Sequence, residues 1–116
     1  MITVHLYPRC STCKKATRWL GERGLAFEEH DLVAKPISKG ALRDLWKRSG
    51  LPLKSFFNTS GESDRAGGFG ARLPSMTESQ QLDALAADGK LVKRPIADDG
   101  VTVLVGFREE AWSAFG

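Results

Sequence analysis

Two cysteines stand three residues apart in Cys10-Ser11-Thr12-Cys13, and the 116-residue sequence contains no others. That spacing suits thiol–disulfide exchange, because two sulfurs one helical turn apart can close a short disulfide and reopen it. In the cycle it implies, Cys10 attacks an oxidised sulfur or other oxidised group, and Cys13 then attacks Cys10 to release the reduced product. The reacting form is the thiolate. At a helix start, unpaired N–H groups and the positive end of the dipole stabilise an anion, so Cys10 placed there would have its pKa drawn from about 8.5 towards roughly 3.5–7.5. Arg9, Lys14 and Lys15 lie beside it in sequence and add positive potential. Two other readings of the pair remain open. Both thiols could be inert core residues, or they could join His5 and His30 around zinc, although both histidines lie on predicted strands and a structural zinc wants four ligands at tight spacing. His30 by itself reads as an ordinary strand histidine rather than a general base.

The elements around the cysteines place them where that chemistry needs them. Residues 2–7 combine β-branched and aromatic types and stop at Pro8, a strand followed by a breaker. Over residues 12–23 the apolar Ala16, Trp19 and Leu20 recur at helical spacing, and Gly24 is placed to end that helix. Residues 25–32 partly alternate, which completes a strand–helix–strand unit whose right-handed crossover makes the strands parallel neighbours. A second helix is predicted from Ser38 through Leu42, Leu45 and Trp46 to Gly50, and a short helical turn after Pro52. Residues 58–72 hold Gly61, Gly67, Gly68 and Gly70 and read as loop with one helical turn at most. Thr77 with Gln80 forms a capping box for a helix carrying Leu82, Leu85 and Ala86, closed by Gly89. After Pro95, Asp98-Asp99-Gly100 separates Ile96-Ala97 from an apolar run over residues 101–105, predicting a tight antiparallel hairpin. Glu109, Glu110 and Trp112 begin a last helix whose early carboxylates suit its positive end. The fold class is therefore α/β: a mixed sheet of about four strands, with a helical insertion between a βαβ half and a ββα half.

Composition bounds the function. A mass of 12.7 kDa and 41% hydrophobic residues suit one domain spanning residues 1–116. No apolar run approaches the ~20 residues of a membrane helix, and the amino terminus reads as a strand rather than a secretory signal. The expected setting is the cytoplasm, where a structural disulfide is disfavoured. The net charge of +3 is spread in pairs such as Lys14-Lys15, Lys47-Arg48 and Lys93-Arg94 among acidic residues, a solvated surface rather than a nucleic-acid footprint. Asn58-Thr59-Ser60 fits a glycosylation acceptor, which has meaning only in a secreted chain. Gly67-Gly68-Phe69-Gly70 follows no strand and lacks the rest of a phosphate-binding motif, so it reads as loop. Trp19, Trp46 and Trp112 read as core anchors.

Taken together, several stretches resemble the arsenate reductase (ArsC) and Spx group of thioredoxin-like proteins over essentially the whole chain. They are residues 7–16 around the cysteines, Pro36-Ile37-Ser38, Phe57-Asn58-Thr59-Ser60-Gly61, Leu91-Val92-Lys93-Arg94-Pro95-Ile96 and Val105-Gly106-Phe107. The resemblance implies a thioredoxin-like fold in which Pro95 is the cis-proline facing the active cysteine. It also implies that Arg94 matches an arginine that binds an oxyanion near the nucleophile, which suits a forked guanidinium.

There are departures too. Where the glutaredoxin-coupled reductases carry another oxyanion-binding arginine this chain has Asn58, and near a third it has Gly106-Phe107, with Arg108 close by. Those reductases also borrow a thiol from glutathione, whereas Cys13 supplies one internally. The expectation is a thiol–disulfide oxidoreductase acting on a protein disulfide or an oxyanion, with Cys10, Cys13 and Arg94 as catalytic residues and Ser11, Thr12, Asn58 and Pro95 as scaffold. No bound cofactor or metal is expected, and the reductant would be glutathione or a thioredoxin or glutaredoxin system. The alternative is an Spx-like redox-responsive regulator that binds RNA polymerase, a reading disfavoured by a chain ending soon after Trp112. Expected partners are a small thiol or redox protein, or the polymerase if regulatory, with no direct nucleic-acid contact, no membrane, and a monomeric chain.

Overall fold

The computed structural model describes residues 2–58 and 75–115. The opening unit is β1 (Ile2–Leu6), α1 (Ser11–Glu22) and β2 (Phe27–Asp31), with β1 and β2 parallel and Ile2 paired with Phe27. The helical insertion follows as α2 (Lys39–Ser49), a 3-10 turn at Leu53–Phe56, and α3 (Glu78–Ala87). The chain closes with a second 3-10 turn at Gly89–Leu91, then β3 (Ile96–Asp98), β4 (Val103–Val105) and α4 (Glu109–Trp112). Strand order is β2-β1-β3-β4, with β3 antiparallel to both its neighbours. β1 is thus central and β4 an edge.

Alternation along the strands divides two cores. Ile2, Val4 and Leu6 of β1 and Ala97 of β3 face Ala16, Trp19 and Leu20 of α1 and Trp112 of α4. Ile96 and Val103 face the opposite way, against Leu42 and Leu45 of α2, Phe56, and Leu82 and Leu85 of α3. Arg48 of α2 grips the Asp98 carboxylate of β3 with two hydrogen bonds of 2.6 and 2.9 Å, tying the insertion to the sheet.

The expected local signals are realised in most places. Ser38 caps α2, Gly50 ends it in the left-handed region (φ 69), and the Thr77–Gln80 capping box is complete. Two elements differ. Helix α3 ends at Ala87, and Asp88 at its end is extended, so Gly89 does not close the helix. Gly89 is required for another reason: a Cβ there would come 2.0 Å from the Leu32 carbonyl oxygen, so the connection passes directly over the end of β2. The hairpin is also looser than expected, because the Asp99 carboxylate accepts the Val101 and Thr102 N–H groups, which keeps residues 101–102 in the turn and leaves Val101 80% exposed. The strand starts at Val103. The expected loop at residues 59–72, with Gly67-Gly68-Phe69-Gly70 and most of the Asn58-Thr59-Ser60 motif, lies outside the described residues.

His5 and His30 are register partners on β1 and β2, and their Nδ1 atoms are 2.7 Å apart. One must donate and the other accept, so at least one ring is neutral. Burial and the neighbouring His30 lower the His5 pKa from 6.5 to about 4, against a raising influence from Asp98.

Two outcomes follow. Gly89→Ala should destabilise the fold by about 2 kcal/mol, read as a lower denaturant midpoint at unchanged slope, since the obstacle is backbone. Because the unfolded chain protonates His5 before the native one does, stability should be full above pH 6.5 and decline as pH falls towards about 4. The loss is on the order of 2 kcal/mol, discounted for the water that still reaches the ring. His5→Gln should remove that part of the pH dependence in urea titrations.

Candidate active site

The end of β1 sets up the start of α1. The Tyr7 carbonyl accepts the Cys10 N–H at 2.9 Å, turning the chain so that Cys10 becomes the residue capping the helix, with φ −80 and ψ 119. Its sulfur accepts the Cys13 N–H at 3.4 Å, the bond that a serine or aspartate oxygen usually makes in this position. Cys10 therefore stands one step outside the helix whose first turn it was expected to occupy, with its sulfur aimed at the unpaired donors. Cys13 lies inside α1, 1% exposed and packed in the core with Val4 and Ala16. Cys10 is half-buried, and both thiols are free.

The two sulfurs are displaced in opposite directions. Burial pushes the Cys10 thiol up, but hydrogen bonds from the Cys13 thiol and N–H, the charge of Arg94 and the Thr12 N–H together outweigh it, and its pKa falls below the ordinary cysteine value. Cys13 is pushed up to about 12, by burial first and by its bond to and repulsion from Cys10, against lowering by the Tyr7 backbone and Arg94. The cation facing Cys10 is Arg94 from the far end of the chain, while Arg9, Lys14 and Lys15 are exposed.

Arg94 is held in place from several sides. Its Nη1 donates to the Lys90 and Val92 carbonyls at 3.0 and 3.1 Å, and its guanidinium carbon lies 5.3 Å from the centre of the Tyr7 ring. Its Nε is buried and has no partner among the described residues. The Arg94-Pro95 peptide is cis and Pro95 is fully buried, as the resemblance implied.

A cavity of about 650 Å³ opens beside these groups, lined by Cys10, Asn58, Lys93, Arg94, Phe107 and Arg108 among others. Thr12 lines it as well, and Ser11 is exposed on the first turn of α1. Asn58 reaches the wall because its N–H donates to the Leu91 carbonyl at 2.7 Å, next to the isolated bridge between Phe57 and Val92. Of the seven expected site residues, Cys10, Thr12, Asn58 and Arg94 line this cavity, while Ser11, Cys13 and Pro95 are their neighbours in sequence and do not. The two histidines do not join the cysteines, and among the described residues no three histidine, cysteine or acidic groups converge as metal ligands. Sequence reasoning missed Tyr7, which holds Cys10 through its carbonyl and Arg94 through its ring, and Lys93 as a lining cation. Both lie inside motifs that were visible, but nothing in a linear motif says which residue faces inward.

This geometry is shared with known proteins. The profile of the ArsC family matches residues 5–115. The chain belongs to the ArsC family. It is 46% identical to the protein YusI of Bacillus subtilis over 94% of this chain and 92% of that one. It is 31% identical to the global transcriptional regulator Spx of Streptococcus agalactiae, over 99% of this chain and 82% of the regulator. A crystal structure of an ArsC family related protein from Bacteroides fragilis superposes with a TM-score of 0.96 at 40% identity, covering 99% of this chain and 97% of that one. The fold is that of the thioredoxin-like ArsC proteins, as the sequence resemblance implied.

Removing the facing cation has a direct readout. Arg94→Gln should raise the Cys10 pKa, followed by the pH dependence of ultraviolet thiolate absorbance in a Cys13→Ala background.

Proposed function

We propose that this ArsC-family protein is a thiol–disulfide oxidoreductase in which Cys10 is the nucleophile and Cys13 the resolving thiol. The observation that carries this reading is the placement of the two sulfurs: Cys10 Sγ caps α1, accepts the Cys13 N–H and lines the cavity with Arg94, while Cys13 is buried one turn along. Cys10 Sγ⁻ attacks one sulfur of a substrate disulfide, forming a mixed disulfide and expelling the other sulfur as a thiolate. Once Cys10 no longer carries negative charge, the repulsion that raises Cys13 is gone. Cys13 then loses its proton to solvent and attacks Cys10, releasing the second substrate thiol and leaving the Cys10–Cys13 disulfide. Two electrons have passed to the substrate, and glutathione or a thioredoxin or glutaredoxin system returns them. Arg94 stabilises Cys10 as the attacking anion, while Pro95, Ser11, Thr12 and Asn58 shape the surroundings. The charge of Arg94 at the cavity would also serve an oxyanion, but Asn58 offers no second charge for one.

A second reading is favoured by the 31% identity to Spx. An accessible low-pKa cysteine beside a resolving one also fits a redox sensor, whose disulfide would alter its affinity for RNA polymerase.

Substitution separates the roles. Cys10→Ser should abolish disulfide reduction, whereas Cys13→Ser should accumulate a mixed disulfide visible by mass spectrometry and turn over only with added thiol. Normal turnover by Cys13→Ser without external thiol would remove its resolving role. Polymerase binding that changes with oxidation, in a protein that reduces nothing catalytically, would favour the regulator.

A further inference from the structure

The cavity next to Cys10 is much larger than a tetrahedral oxyanion needs, being of the size that usually holds ligands of many atoms, roughly 300–1,000 Å³. One wall is the outer edge of β4. Gly106 N–H donates to the Pro95 carbonyl and Asp99 N–H to the Thr102 carbonyl, and the register pairs Ala97 with Leu104 between them. Hydrogen-bonded pairs alternate in an antiparallel ladder, so residues 102, 104 and 106 bond to β3 while Val103 and Val105 turn their N–H and C=O groups outwards. Val103 is 3% exposed and covered, whereas Val105 is half-buried at the cavity, and among the described residues no hydrogen bond to its outward groups is made. An accessible edge residue with N–H and C=O both turned outwards can pair with one residue of an added strand.

The charges around the same cavity have one sign. Lys93, Arg94 and Arg108 line it, with no carboxylate among the described lining residues, and the Lys93 side chain lies across Gly106 at the end of β4. Exposed Leu51 and half-buried Phe107 supply apolar surface beside them.

We infer that this groove binds its substrate as an extended, acidic, cysteine-bearing segment of a partner protein, added as a strand along the outer edge of β4 with its sulfur presented to Cys10. The inference rests on the thiol–disulfide reading above and names the substrate class for it. Backbone pairing to Val105 would supply register, and Lys93 and Arg108 would select acidic flanks.

Synthetic peptides test it on the whole protein in a Cys13→Ser background. Each carries one cysteine joined by a disulfide to the chromophore 2-nitro-5-thiobenzoate. Attack by the Cys10 thiolate forms a Cys10–peptide disulfide, breaks the probe's S–S bond and releases the chromophore as its coloured thiolate, so the rate is read directly. Four probes are compared: a glutamate-rich peptide, its lysine-rich counterpart, the glutamate-rich peptide N-methylated at alternate residues, and glutathione carrying the same chromophore. The acidic peptide should react about tenfold faster than the basic one, with the ratio shrinking in added salt and in the Lys93→Ala/Arg108→Ala variant. N-methylation removes backbone donors without altering charge, and should slow the acidic peptide to about the glutathione rate. If the peptides and the glutathione probe react at equal rates, the groove inference is overturned while the thiol reading stands. If N-methylation changes nothing, strand addition is overturned. If no probe reacts at Cys10, the thiol reading falls and this inference with it.

Discussion

The hydrogen bond from the Cys13 N–H to the Cys10 sulfur is the contact on which the rest of the site depends. It replaces the oxygen cap that α1 would otherwise need, so helix formation and thiolate stabilisation are one event. A sulfur held at that point faces unpaired backbone donors whose positions are set by the helix, and it cannot turn away without uncapping it. The Tyr7 carbonyl secures the other side by accepting the Cys10 N–H, which joins the cap to the end of the central strand. Because β1 is hydrogen-bonded on both edges, the cap has little freedom to shift.

The same arrangement makes two identical side chains chemically different. Cys10 sits at the boundary between core and cavity, where donors and a cation outweigh burial. Cys13, three residues on, turns into the apolar layer between α1 and the sheet, where burial dominates. Neither difference comes from the cysteines or from the residues between them. It comes from which side of α1 meets Ile2, Val4 and Leu6 and which side meets Arg94. The sheet is thus both scaffold and electrostatic environment, and its order places Arg94, two residues before β3, near Cys10, the residue before α1.

Much of this was legible in the chain. The capping Ser38, the Thr77–Gln80 box, the alternation of β1 and the helical stripe of Ala16, Trp19 and Leu20 are local signals, each settled by bonds or packing within a turn or two, and each is realised. Gly89 and the hairpin were misread for the opposite reason. A glycine near the end of a helical pattern looks like a cap, yet here Gly89 yields to the Leu32 backbone, fifty-seven positions earlier in sequence. Asp-Gly promised a tight turn, but the Asp99 carboxylate competed for the next two N–H groups and kept Val101 out of the strand.

By itself the sequence determined the pair of cysteines one turn apart, the order of elements and the family-like run that ends in Pro95, because these depend on spacing and local propensity. Only the tertiary structure decided that Arg94 rather than Arg9, Lys14 or Lys15 faces the sulfur, that His5 and His30 share a hydrogen bond instead of joining the cysteines, and that β4 is left as an open edge beside a basic cavity. Charge acts over a few ångströms through space, and proximity between Cys10 and Arg94, eighty-four positions apart, is created by strand order, which no local pattern of side chains encodes.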